Sequence, residues 1–310
     1  MTRFGLALGS GGARGLAHLG VLEVLEEAGL APRYIAGTSM GAIIGALFAE
    51  LQDAQAVIEK TERYTADPRF RESWEAFVQE PAEQERTLFD ELRRSIQRRI
   101  LTLRGFTSPS MQSAQSLLEP LQQIYRVRRI EDLALPFAAV AIDLYSGQPR
   151  IFRRGDLVPA IYASSAIPAV FPPLSLDGQL LTDGGGPYRV PVQVCRDLGA
   201  EFVLAVDIPS FAAEGGEFHR GIEVLLRSDQ IARNRLNQFV LREADFVVQP
   251  RVERFHWASF CSAEEIRQAG AHAMRAALSD LRRRLRRRGS PLGRLSAYAR
   301  RRLARERPIG

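Results

Sequence analysis

Tyr34-Ile35-Ala36-Gly37-Thr38-Ser39-Met40-Gly41-Ala42-Ile43-Ile44-Gly45-Ala46-Leu47-Phe48 is the stretch that decides the fold of this chain. Residues 34–36 read as a short strand and residues 42–48 as a buried helix, which puts Ser39 on the turn between them. A G-x-S-x-G pattern in that setting is a nucleophile elbow. A serine on so tight a turn has a strained backbone, and its neighbours Gly37 and Gly41 leave the room it needs. The hydroxyl is then offered at a helix N-terminus, where free N–H groups and the helix dipole favour developing negative charge.

Working outward, Phe4 to Gly9 is an apolar strand that ends in the loop Ser10-Gly11-Gly12-Ala13-Arg14-Gly15. Residues 16–25 have helical periodicity and stop at Gly29. Strand, glycine loop, helix, strand, elbow, helix opens an α/β fold with a parallel sheet. Further strands are expected at 137–142, 179–182, 202–208 and 245–249. Helices are expected at 190–198, 221–242 and 263 to about 285. Residues 53–130 differ: Leu88, Leu92, Ile96, Ile100 and Leu103 recur at helical spacing, Trp74 and Phe77 lie upstream, and Ser110 is placed to cap a helix reaching about Tyr125. This reads as a mostly helical insertion; a cap over the site and ordinary outer-layer helix both fit it.

A chain of 310 residues with 45% hydrophobic content can bury a large single core. The expected organisation is one domain over residues 1–285, with the insertion at about 53–130, and an arginine-rich tail over 286–310. Two cysteines, Cys195 and Cys261, are too few for a disulfide framework and point to a reducing compartment. With no signal-peptide pattern and no apolar run of about 18 residues, the expectation is a soluble cytoplasmic protein. Twelve arginines and one acid, Glu306, lie between Arg282 and Gly310; against a chain total of +6, the residues before them carry a net charge of −5. The tail, with Leu281, Leu285, Leu292 and Leu295 among its arginines, has the pattern of a basic amphipathic segment able to contact an anionic membrane. Leu278, Leu281 and Leu285 also continue the core stripe of the last helix, so a solvated basic helix takes precedence over nucleic-acid binding.

An acyl-transferring serine needs an oxyanion hole and a base. Gly11, Gly12 and Ala13 set backbone N–H groups at a helix start without side chains in the way, and Arg14 adds a cation. A dinucleotide loop is disfavoured: the G-x-G-x-x-G register fails at Ser10, and no acid follows the second strand. Of the four histidines, His18 is expected to be packed in the core, and His219 and His272 lie on or beside helices. His256, in a loop after the strand near Gln249, is the one candidate for a triad. Asp183 has a different setting. It ends a strand and is followed by Gly184-Gly185-Gly186, while Asp177-Gly178 already makes the nearby hairpin turn.

The ordered blocks Ser10-Gly11-Gly12-Ala13-Arg14-Gly15, Gly37-Thr38-Ser39-Met40-Gly41 and Asp183-Gly184-Gly185 resemble the signature blocks of the patatin-like phospholipases. Ala163-Ser164-Ser165-Ala166-Ile167-Pro168-Ala169-Val170-Phe171-Pro172-Pro173 resembles a fourth. The resemblance runs from about Leu6 to Ile208. It implies a three-layer α/β/α sandwich with a mostly parallel central sheet, and a Ser–Asp dyad that works without histidine. Ser39 corresponds to the nucleophile and Asp183 to the base. The loop Gly11, Gly12, Ala13 and Arg14 corresponds to the oxyanion hole, and Gly37, Gly41, Gly184 and Gly185 support the motifs. Ser10 departs from the family's leading glycine but leaves Gly11 and Gly12 intact.

The resulting expectation is a serine acyl hydrolase that cleaves carboxylic esters of lipids through an acyl–serine intermediate, of phospholipase A or lysophospholipase type. No metal or organic cofactor is implied, and a D-x-[DN]-x-[DN]-G calcium loop is absent from the sequence. A small-ester or thioester hydrolase or acyltransferase shares the same dyad. A regulatory protein that keeps the fold is the reading from another class, and the intact dyad speaks against it.

Overall fold

Alternation along the strands sorts this chain into layers. The computed structural model describes residues 3–66, 70, 74, 110–209, 218 and 221–290. Within these, β1 (Phe4–Leu8), β2 (Tyr34–Gly37), β3 (Phe137–Asp143), β4 (Pro149–Phe152), β5 (Leu174–Leu176), β6 (Gln179–Asp183), β7 (Phe202–Val206) and β8 (Phe246–Val248) form one sheet. Its order is β5-β6-β3-β2-β1-β7-β8, with β4 paired to β3. Strands β3, β2, β1, β7 and β8 run parallel; β4 and β6 pair antiparallel with β3, and β5 pairs antiparallel with β6.

The parallel strands are apolar throughout because both of their faces are covered. Phe4, Leu6, Leu8, Phe137, Phe202, Leu204 and Val206 point to one side. That side is covered by α1 (Ala17–Glu27), α2 (Met40–Leu51), α3 (Ala54–Ala66), α4 (Gln115–Ile124) and α5 (Leu157–Ser165). The small intervening residues Ala7, Ala36, Ala138, Val203 and Ala205 point to the other, where α6 (Val192–Asp197) and α7 (Gly221–Leu241) pack. The last helix, α8 (Ala263–Gly289), lies on the first side with Ile266, Met274 and Leu281 buried. The result is the three-layer α/β/α sandwich.

Most expected elements lie within a few residues of their observed bounds. Helix α8 runs on to Gly289, so Arg286–Arg288 are helical rather than part of a tail. Ser110 does not cap α4, which starts at Gln115. It pairs instead as a bridge with Ala169, because the chain there is extended against the segment after α5. Elements α3, α5, β4 and β5 add to the expected set. The helical spacing from Leu88 to Leu103, Phe77, His219 and residues 291–310 lie outside the described residues. Cys195 is buried, Cys261 is exposed, and the two are not bonded.

Candidate active site

Ser39 stands between β2 and α2 with φ 55° and ψ −125°. That left-handed conformation is disfavoured for a residue with a side chain and marks stored strain. The neighbouring glycines explain how the turn closes. A Cβ on Gly37 would strike the Gly41 carbonyl and Ala42, and one on Gly41 would strike the Leu8 and Gly9 carbonyls at the end of β1. The Ser39 N–H donates to Ser164 Oγ at 3.0 Å, and that hydroxyl donates in turn to the Val140 carbonyl at 2.7 Å. Helix α5 is thus bolted to both the elbow and β3. Thr38 Oγ1 donates to the Tyr188 carbonyl at 2.9 Å, which fixes the other side of the turn.

Asp183 ends β6, which runs antiparallel to β3 and so carries its C-terminus back into the sheet beside Ala141. From there Gly184 lies against Thr38 and Gly185 against the Ser10 hydroxyl. The Ser39 side chain lies near enough to the Asp183 carboxyl to favour its ionised form. The Gly185 N–H donates to Asp183 Oδ1 at 2.6 Å. Burial pushes the Asp183 carboxyl up to about 6, against the opposing influence of the Ser39 side chain, the Gly185 N–H and the Arg233 charge.

The glycine loop closes the third side. Gly12 has φ 56°, and a Cβ there would strike the Trp257 carbonyl. The Ala13 N–H donates to that same carbonyl at 2.7 Å. Arg14 turns its guanidinium to the Phe255 carbonyl at 2.6 Å and the Pro209 carbonyl at 3.5 Å. The N–H groups of Gly11 and Gly12 meet no protein acceptor among the described residues.

Neither described histidine near this loop is bonded to Ser39. His18 is fully buried, its Nε2 donates to the Gly9 carbonyl at 2.7 Å, and burial pushes it down to about 4. It is a structural pin for the end of β1. His256 is half-buried, its Nδ1 accepts from the Ala258 N–H at 3.3 Å, and burial lowers it below the usual histidine range. His272 is exposed on α8.

Three residues beyond the expected set matter here. Ser164 stands in the fourth sequence block, a small polar residue in an otherwise apolar helix. Arg189 and Asp207 form a buried ion pair at 3.4 Å. Arg189 also donates to the Ile208 carbonyl and to Asn234 Oδ1, and Asp207 accepts from Asn237 and Gln249. Because the Arg189 carbonyl receives the Ser10 N–H at 2.9 Å, this network holds the glycine loop against α7. Asp207 had a legible signal: like Asp183, it is an acid directly after an apolar strand. Trp74 is buried against Trp257, Phe171 and Phe260, with ring centroids 5.1–5.8 Å apart. One side chain of the expected insertion therefore reaches the aromatic wall beside Gly12. Among the described residues, no group of three His, Cys, Asp or Glu side chains could hold a metal ion.

Residues 6–196 match the family described as patatin-like phospholipase. The chain is 32% identical over 207 residues to patatin-like phospholipase domain-containing protein 6 of Mus musculus, which covers 66% of this chain and 13% of that protein. It is 35% identical over 212 residues to an uncharacterised NTE-family protein of Mycobacterium bovis, covering 66% of this chain and 49% of that one. The chain thus spans a minor part of the length of the curated relatives it matches. Among solved structures, VipD from Legionella pneumophila is similar with a TM-score of 0.48 and 14% identity, over 90% of this chain and 67% of that chain.

Proposed function

This chain belongs to the patatin-like phospholipase family, and from that premise we propose that it is a serine acyl hydrolase that cleaves carboxylic esters of lipids. The observation that carries the reading is Ser39 on a left-handed turn at the start of α2, with its side chain near enough to Asp183 to favour the carboxylate form. In this reading Asp183 takes the hydroxyl proton as Ser39 Oγ attacks the ester carbonyl carbon. The oxyanion is received by the N–H groups of the glycine loop. The intermediate collapses, Asp183 returns the proton to the departing alcohol, and the acyl group stays on Ser39. Asp183 then deprotonates a water that hydrolyses the acyl-serine. A carboxylate raised to about 6 is a stronger base than an ordinary aspartate, yet it is still ionised at neutral pH.

Gly11, Gly12, Ala13 and Arg14 take unequal parts in the proposed hole. Gly11 and Gly12 supply its donors. Ala13 and Arg14, already bonded to the Trp257, Phe255 and Pro209 carbonyls, hold the loop in place. The hydrolysed bond is proposed to be that of a phospholipid or lysophospholipid, as the family's name indicates; a short-chain ester or an acyl-thioester would pass through the same steps. A panel of phospholipids, lysophospholipids, acylglycerols and acyl-thioesters tests this, with Ser39→Ala as the control. We expect lipid esters to be hydrolysed and the control to be lower by several orders of magnitude. Hydrolysis confined to thioesters or short-chain esters would overturn the lipid reading, and no hydrolysis of any class would leave the regulatory one.

The arginine-rich end is a proposed contact with an anionic membrane, acting on recruitment alone. Arg282, Arg284 and Arg288 donate to the carbonyls of Ala28, Asp245 and Glu201, at the end of α1 and ahead of β8 and β7. This is the pole opposite the C-terminal ends of β1 and β2. Contact there would draw the protein to an anionic surface without turning Ser39 toward it.

A further inference from the structure

In the proposed mechanism the proton that Asp183 takes from Ser39 is handed to the departing alcohol as the ester C–O bond breaks. The leaving group must therefore sit on the Asp183 side of Ser39, while the glycine loop takes the carbonyl oxygen. That side is lined by the turn after β6. The Gly185 N–H donates to Asp183 Oδ1 at 2.6 Å and the Tyr188 N–H to the Gly184 carbonyl at 2.9 Å, so the turn is compact. A Cβ on Gly184 would strike the Val140 carbonyl and one on Gly185 the Ser10 hydroxyl, whereas one on Gly186 would meet Arg233 Cδ at 3.7 Å. The stem of Arg233 thus lies along Gly186, no more than about 10 Å of chain from Asp183. Helix α7 is held in that place by Asn234, which accepts from Arg189 at 3.0 Å, and by Asn237, which donates to Asp207 at 3.0 Å. Arg14, Arg189 and Arg233 all border the site, and they differ in what they are free to bind. Arg189 is buried with Asp207, and Arg14 gives its guanidinium to the Phe255 and Pro209 carbonyls. The Arg233 side chain is 44% exposed and pairs with Asp229 one turn earlier on α7, itself 52% exposed. An ion pair so open to water is weak, which leaves the guanidinium able to take a second anion. Its charge also reaches Asp183, where it favours the carboxylate.

We propose that Arg233 is a specificity-determining residue that receives the phosphate of the leaving group, so that the site favours glycerophospholipids over neutral acylglycerols; the proposal rests on the lipid-hydrolase reading and deepens it. A guanidinium suits a phosphodiester because its planar fork matches two phosphate oxygens. Position narrows the class further. In a glycerophospholipid only glycerol carbons separate the leaving oxygen from the phosphate, which matches a cation beside the base. In an acyl-thioester of a pantetheine the phosphate lies at the far end of the arm, beyond a side chain this close to Asp183. With a diacylglycerol Arg233 meets no anion and stays with Asp229.

The test compares dihexanoylphosphatidylcholine with dihexanoylglycerol, both dissolved below their micelle concentrations so that no lipid surface enters the measurement. A pH of about 8 lies well above the Asp183 value of about 6, so the base is ionised and the comparison reads binding rather than protonation. The ratio of kcat/KM for the phospholipid to that for the diacylglycerol should fall about tenfold in Arg233→Gln, through a higher KM for the phospholipid. In Arg233→Lys, which keeps the charge but not the fork, the ratio should fall by less. A ratio equal to wild type in Arg233→Gln, whether both substrates slow together or neither does, overturns the proposal and leaves the lipid-hydrolase reading standing. Should the wild type hydrolyse neither ester, that reading fails, and saturation-transfer NMR with glycerophosphocholine decides this one. A signal lost in Arg233→Gln supports the phosphate contact; an equal signal in the two proteins, or none from the wild type, overturns it.

Discussion

Asp183 carries two opposed demands. As the proposed base it must be ionised, yet burial favours its neutral form and lifts the carboxyl to about 6. Hydrolysis of a soluble ester should therefore rise with pH through about 6 and fall away below it. Stability should move the other way. Between the ordinary aspartate value and about 6 the folded protein binds more protons than the unfolded chain, so stability falls as pH rises across that window. Asp183→Asn should remove this slope together with turnover and stabilise the protein at pH 7 by an amount on the order of 3 kcal/mol, seen as a higher melting temperature. A pH–rate profile and thermal melts of both proteins check this; an active Asn variant, or one less stable than wild type at pH 7, contradicts it. At this scale the sequence was partly legible. Asp183 and Ser39 stood out because each joins a polar side chain to stripped backbone, and His18 read as core from its apolar helix face. The pairing of Arg189 with Asp207 was hidden, since it joins residues on separate segments through the tertiary fold.

The strand–elbow–helix unit holds its strain at one residue. Ser39→Ala and Ser39→Gly both lose the hydroxyl, so the difference between them isolates the backbone. Glycine adopts φ near 55° freely whereas alanine does not. Relief of about 1–3 kcal/mol of strain outweighs the roughly 0.5–1 kcal/mol that glycine's extra chain entropy costs. The glycine variant should therefore be the more stable by about 1 kcal/mol in denaturant unfolding. Equal stabilities would contradict a strained elbow. Elements of this kind were legible because glycine spacing, apolar runs and helix periodicity are local. Strands β4 and β5 were not: Pro149–Phe152 and Leu174–Leu176 are short, only partly buried and without a continuous apolar run. Helix α5 was hidden for a different reason. Its residues 163–165 belong to the block that resembles the family's fourth, whose small polar residues mask the helical pattern.

On the scale of the whole molecule, the sheet converts sequence distance into proximity. Ser10, Ser39 and Asp183 lie far apart in the chain, yet two parallel strands and one antiparallel strand bring their loops into contact. The strand sequence indicated an α/β sheet, but not that β6 turns back along β3, and that reversal is what delivers the carboxylate to the serine. The poles also differ: the glycine loop and the elbow lie at one end of the sheet, and α8 ends in arginines at the other. None of the described helices is long and apolar enough to cross a membrane. All of this turns on Ser39 being an activated nucleophile. The direct measurement is labelling with a fluorophosphonate followed by peptide mass mapping of wild type, Ser39→Ala and Asp183→Asn. One adduct on Ser39, absent in the alanine variant and slowed by orders of magnitude in the asparagine variant, is the expected result. An unlabelled Ser39, or labelling as fast without Asp183 as with it, would contradict the account.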